Sequence, residues 1–169
     1  TDRLLNWPLL ARAYLFLGPM QAVAAISAYW YVLDRGGWRF GEQLAAHDPL
    51  YLQATTACLG AIVAMQIANV FLCRSARRSA FSFSVFSNKL ILVGIAAEIA
   101  VITLISYTPW GNSLFGTAPL PAEVWLFILP FPLAMLALEE LRKWFARKFD
   151  PDCVIAKNGR ARPGAADNA

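Results

Sequence analysis

Four long apolar stretches dominate this sequence, at about residues 13–33, 51–73, 90–107 and 124–141. A membrane-spanning helix needs about 20 consecutive apolar residues, and each stretch is long enough to cross. Lipid offers no hydrogen bonds to an exposed backbone, so such segments cross as helices that satisfy their own N–H and C=O groups. The expected fold class is an all-α membrane protein, a four-transmembrane-helix bundle. Composition agrees: 58% of the 169 residues are hydrophobic and 15% charged, against about 45–50% and about 25% in soluble domains. Four spans and their loops use most of the chain, which leaves no room for a sizeable water-soluble catalytic domain.

The linkers differ in charge, and the difference orients the bundle. Arg3 and Arg12 precede the first span, Arg74, Arg77, Arg78 and Lys89 lie between the second and third, and Arg142, Lys143, Arg147 and Lys148 follow the fourth. Lys157, Arg160 and Arg162 continue the excess into the tail. Only Arg35 and Arg39 fall on the opposite side, in a Gly- and Pro-containing loop from Asp34 to Pro49. Lys and Arg flanking a span are retained in the cytoplasm, so both termini are expected there. Topology and contact with anionic lipid account for the basic excess without nucleic acid. The connection Thr108–Glu123 has turn residues and no Lys or Arg, and is expected to lie outside. Residues 150–169, rich in Ala, Gly and charge, read as a flexible cytoplasmic tail.

Aromatic residues mark the same boundaries, because Trp and Tyr favour the level where lipid meets headgroup. Trp7, Trp30, Tyr31, Trp38, Tyr51, Tyr107, Trp110, Trp125 and Trp144 all fall near span ends. Cys58, Cys73 and Cys153 show no C-x-x-C spacing, and His47 has no neighbours at metal-ligand spacing, so neither a disulfide framework nor a zinc site is expected. Ser79 after Arg77-Arg78 reads as part of a juxtamembrane basic run. The chain opens on Thr with no recognisable secretory signal, which reads as a fragment.

Polar residues inside the spans carry the functional signal. Gln66 and Asn69 sit three apart on one helix face. Interhelical hydrogen bonding, at about 0.6–2 kcal/mol per contact, is the ordinary reading; ion ligation is the other. Glu98 is the one formally charged residue in the interior of the apolar stretches, Glu139 and Glu140 falling at the end of the fourth. A charge at mid-bilayer costs at least about 2.5–3.5 kcal/mol, so it marks a functional candidate, an ion or proton site. Pro130 and Pro132 in the fourth stretch remove backbone donors and predict a kink. Glu139-Glu140-Leu-Arg142-Lys143 reads as a solvated helix end.

The order Tyr14, Leu17-Gly18, Gly37-Trp38, Gln66-x-x-Asn69, Cys73-Arg74 and Arg77-Arg78-Ser79-x-Phe81 resembles the seventh and eighth membrane helices of the type II P-type cation-transporting ATPases. Asn88-Lys89-x5-Gly94-Ile95-x-x-Glu98, Tyr107-x-Pro109, Pro119-Leu120, Trp125, Pro130 and Glu139-Glu140-Leu-Arg142-Lys143 are similar to the ninth and tenth. The resemblance covers about residues 3–149 in order. It implies that residues 1–149 are one part of a larger ten-helix transport domain, in an integral membrane protein expected in the cell membrane.

In such pumps ATP, with Mg, phosphorylates an aspartate in a cytoplasmic domain, and the cycle alternates access to cation sites among the helices. The resemblance implies Gln66, Asn69 and Glu98 at the cation site or its access path, with Glu98 matching a ninth-helix carboxylate linked to an additional sodium site. It implies contact with cytoplasmic domains through Arg77, Arg78, Arg142 and Lys143. The implied partners are the phosphorylation, nucleotide-binding and actuator domains, the first six helices and the transported cation. Sodium/potassium pumps have aspartate where this chain has Asn69; sarcoplasmic-type calcium pumps have asparagine there and glutamate in place of Gln66. The ion is therefore left open. No phosphorylated Asp-Lys-Thr-Gly motif occurs here, so this chain alone cannot hydrolyse ATP. Two alternatives stand beside this reading: a free-standing non-enzymatic accessory or scaffold protein, and a small proton-coupled carrier resting on Glu98 alone.

Overall fold

The computed structural model describes residues 13–73 and 89–149. Among them every regular element is helical. A π-helical turn, Ala13–Leu17, leads into α1, Gly18–Arg35; α2 is Pro49–Cys73, α3 Lys89–Tyr107, α4 Pro109–Phe115, α5 Ala122–Ile128 and α6 Pro130–Phe149. Four spans result: Tyr14–Arg35, Pro49–Leu72, Lys89–Tyr107 and Ala122–Phe145, the last built from α5 and α6 together. At 1.5 Å per residue, the 19 residues of α3 rise about 28 Å, close to the roughly 30 Å of bilayer hydrocarbon.

Alanine decides which spans pack. On α2, buried residues recur at Ala54, Ala57, Ala61, Met65, Ala68 and Leu72, the three- and four-residue spacing of one helix face. On α1 they are Ala24, Ala25 and Ala28, then Val32 and Leu33. Hydrocarbon is as apolar as leucine, so helices in lipid associate through close backbone approach rather than through exclusion of water. The α1–α2 contact is accordingly the most extensive in the chain. The fourth span lies over this seam through Val124 and Ile128 at one end and Met135 at the other.

The fourth span breaks at Leu129, as Pro130 and Pro132 lead one to expect. These prolines have no N–H to offer the carbonyls of Leu126 and Ile128, one turn earlier. Leu129 keeps helical angles and donates to the Trp125 carbonyl at 3.0 Å. The two segments therefore still cross as one unit.

The third span is different. Only Ile102 and Ser106 of α3 are buried, and its Tyr107 end is held by polar contacts instead. The segment after α4 acts as a strap across the bundle. Its Ala118 N–H donates to Thr56 Oγ1 of α2 at 2.9 Å, and Gln53 Nε2 donates to the Pro119 carbonyl at 3.0 Å. Tyr107 at the end of α3 donates its hydroxyl to the Leu120 carbonyl, 2.8 Å, and accepts from Trp125 Nε1, 2.7 Å. Thr117 Oγ1 donates to the Ile105 carbonyl. The amide nitrogen of Asn112, in the orientation that satisfies its neighbours, donates to the carbonyls of Ile105 and Ser106, 3.0 Å each.

The Thr108–Glu123 connection contains more structure than its turn residues suggest. Thr108 caps α4, accepting from Gly111 N–H at 3.0 Å, with Pro109 at the first helical position, where its missing N–H costs nothing. Gly116, with φ +63°, closes the helix in the left-handed conformation. Gly111 is buried so tightly on α3 that a Cβ there would sit 2.6 Å from the Leu104 carbonyl oxygen and 2.6 Å from Ile105 Cα.

Both obstacles are backbone, so Gly111→Ala must displace α4 and is expected to cost about 1–3 kcal/mol. Ser106→Ala at the same helix end removes a buried hydroxyl that has no hydrogen-bond partner, and is expected to leave stability unchanged or raise it. Thermal unfolding of the two variants in detergent or nanodiscs checks the pair. Equal melting temperatures would contradict this account of the α3–α4 corner.

Candidate functional site

The carboxylate of Glu98 is carried by the span that the core holds least. Glu98 is nine residues from the Tyr107 end of α3 (98 to 107), about 14 Å along the helix. It is half-buried and lines a cavity of about 320 Å³ between the second and third spans, with Leu59 and Val63 of α2 and Ala97, Val101, Ile102 and Ile105 of α3. Every other lining side chain is apolar. The Glu98 carboxylate makes no hydrogen bond or ion pair with any described residue. A carboxyl group in such surroundings is uncompensated among the described residues.

Gln66 and Asn69 lie outside that lining. Gln66 is exposed and Asn69 half-buried on α2. Gln66 follows Leu59 by seven residues and Val63 by three, so it continues the flank of α2 that walls the cavity. The structure thus puts Gln66 one turn beyond Val63 on the flank of α2 that walls the Glu98 cavity, and Asn69 a further three residues along. Among the described residues no three His, Cys, Asp or Glu side chains converge. An ion on this flank would need ligands of other types or from other helices.

At the far end of the fourth span, the expectation of a solvated charge cluster is corrected. Glu139 and Lys143 are both 0% exposed. Arg142 donates from both Nε and Nη2 to the Glu139 carboxylate, at 2.9 and 2.7 Å, and Lys143 pairs with Glu140 at 3.3 Å. Residues three apart on a helix share a face, so these pairs are local to α6. Burial strips water from Glu139 and Lys143, so these charges rely on protein partners rather than on solvent. Arg77, Arg78 and the tail 150–169 lie outside the described residues.

The opposite face holds a contact that the sequence reading missed. Arg35, ending α1, pairs with Glu123, in the first turn of the fourth span, and its guanidinium lies 5.7 Å from the centre of the Tyr31 ring. Tyr31 in turn stacks on Phe127 at 4.1 Å. A lone Arg ending one span and a lone acid opening another, on the same expected side, was the available signal. The ion pair itself is exposed and screened by solvent, so the aromatic stack does more of the fastening.

The sequence over residues 1–145 matches the family described as Cation transporting ATPase, C-terminus. The chain belongs to that family. Similar proteins include potassium-transporting ATPase alpha chain 2 of Oryctolagus cuniculus, 29% identical over 172 residues, and its counterpart from Homo sapiens, 28% identical. Sodium/potassium-transporting ATPase subunit alpha-2 of Gallus gallus is 25% identical over 173 residues. Each match covers 88% of this chain but 16–17% of the relative. The chain therefore spans about one sixth the length of the curated relatives it matches. It is a C-terminal membrane region of the type II P-type ATPase kind, multi-pass and integral to the membrane.

The buried pairs on α6 give a direct test. Glu139→Ala removes the two carboxylate oxygens to which Arg142 Nε and Nη2 donate and is expected to cost about 1.5–3 kcal/mol, the range for hydrogen bonds to charged groups. Glu139→Gln keeps one acceptor and should cost less. Melting temperatures of the two variants in nanodiscs check this, and no loss in Glu139→Ala would mean that the pair is solvent-screened after all.

Proposed function

We propose that this chain supplies the seventh to tenth membrane helices of an ATP-driven cation pump, and that Gln66, Asn69 and Glu98 serve the cation site or its access path. The observation that carries the proposal is the flank shared by Glu98 and Gln66. A carboxylate without a partner among the described residues and an exposed amide on the flank that walls its cavity are costly against lipid, yet suited to contact with further helices or an ion. A free-standing accessory bundle would leave both facing hydrocarbon. Carboxylate and amide oxygens are hard ligands, appropriate to sodium, potassium, calcium or a proton. The potassium- and sodium/potassium-transporting relatives favour a monovalent cation.

The first six helices and the cytoplasmic domains would come from the rest of the protein. ATP and Mg would bind there, and no residue of this chain is assigned to hold them. Both termini would face the cytoplasm, in the cell membrane. Arg77 and Arg78 would meet the cytoplasmic domains; Arg142 and Lys143, already paired on α6, would do so mainly by fixing the shape of the helix end.

The test is cation-dependent ATPase activity of the full-length protein carrying Glu98→Gln or Gln66→Ala, titrated with potassium, sodium and calcium. Loss of a charged ligand is expected to raise the cation concentration for half-maximal activity about tenfold, equivalent to about 1.4 kcal/mol. Gln66→Ala should produce a smaller shift for the same ion. Unchanged ion dependence in both variants would remove the proposed role.

A further inference from the structure

The outer corner of the third span presents an uncharged aromatic surface that neither the core nor the proposed cation site uses. Trp110 and Leu114, one helical turn apart on α4, are each 62% exposed, and neighbouring Phe115 is 56% exposed. The Trp110 and Phe115 rings meet edge to face at 6.5 Å. On a water-facing loop this much apolar surface would be costly, at about 25 cal/mol per Å².

We propose that α4 is a lateral membrane anchor whose Trp110, Leu114 and Phe115 lie in the headgroup boundary of the non-cytoplasmic leaflet. Three observations commit the surface to lipid. First, no residue from Thr108 to Ala122 is charged, whereas the other connection on that side carries Arg35, Arg39, Glu42 and Asp48. Second, the contact of Gly111 with the backbone of Leu104 and Ile105 folds α4 back on the last turn of α3 and keeps it at the level where the span ends. Third, the surface continues the aromatic boundary set by Tyr107 and Trp125, whose side chains are hydrogen-bonded to each other beside it. An amphipathic ring at this level contacts acyl chain and headgroup together.

The anchor has a consequence for the span it ends. Core packing holds α3 through only two buried residues, so the strap and the lipid contact together would set the depth of Glu98 in the bilayer. The inference is independent of the pump reading, since it rests on α4 and the span ends beside it.

A nitroxide label at Leu114→Cys, in an otherwise cysteine-free full-length protein reconstituted in liposomes, tests it through collision with oxygen and with a water-soluble nickel chelate. A label at His47→Cys, in the charged loop on the same side, is the aqueous reference. The expected result is a severalfold higher oxygen-to-nickel collision ratio at 114 than at 47. Equal ratios would show that α4 lies in water. A label at 114 immobile and shielded from both reagents would show that another protein surface covers it; either result overturns the proposal. His47→Cys touches neither the core nor the strap, so loss of folding at Leu114→Cys alone would be visible against it, and the ratio would then be read at Phe115→Cys with the same two outcomes.

Discussion

The close packing of alanine on alanine between the first two spans is the contact on which the rest of the bundle is assembled. Ala24 and Ala28 on one helix and Ala54, Ala57 and Ala61 on the other are fully buried. Their small size lets the backbones approach where no hydrophobic effect separates protein from lipid. Larger residues at either end of the seam, Val32 and Leu33 toward one face and Met65 and Leu72 toward the other, widen it into two pockets of core. The fourth span fills both, with Val124 and Ile128 above its proline break and Met135 below. A break between two buried segments lets each adjust to its own half of the seam.

The third span joins this platform by a different physics. With little apolar surface buried, it depends on the strap from Thr117 to Leu120, whose backbone groups bond to Thr56, Gln53 and Tyr107. Polar groups near the end of a span remain close to water, so their bonds are less costly to make and break than bonds at mid-bilayer. The span that carries Glu98 is thus fastened at its Tyr107 end and lightly held along its length. That arrangement is what a helix needs if its middle is to face further helices and respond to an ion between them.

Much of this was legible in the sequence, for reasons that differ residue by residue. Hydropathy marks spans because lipid imposes one length and one backbone solution, and the proline break follows from two missing donors. The family was legible because the order and spacing of Gln66, Asn69, Glu98 and the α6 charges resemble its pattern, and the family match over residues 1–145 agrees. The short helix α4 was read as turn, although Thr108-Pro109 and Gly116 were a cap at each end; its apolar run is too short to register as a period. The burial of Glu139 and Lys143 was not legible, because pairing on one face cancels the charges that mark a solvated end. The exposure of Gln66 could not be inferred either, since helical periodicity gives a face but not what the face meets.

The central claim is that these four spans are an integral part of a cation-transporting ATPase and act through the flank bearing Glu98 and Gln66. The most direct measurement is cation-stimulated ATP hydrolysis by the whole protein that contains this segment, compared with the same protein lacking the four spans and with the lacking form co-expressed with them. The account predicts that removal abolishes cation stimulation and that co-expression restores at least part of it, with the segment copurifying. Undiminished cation-stimulated turnover without the four spans would contradict it.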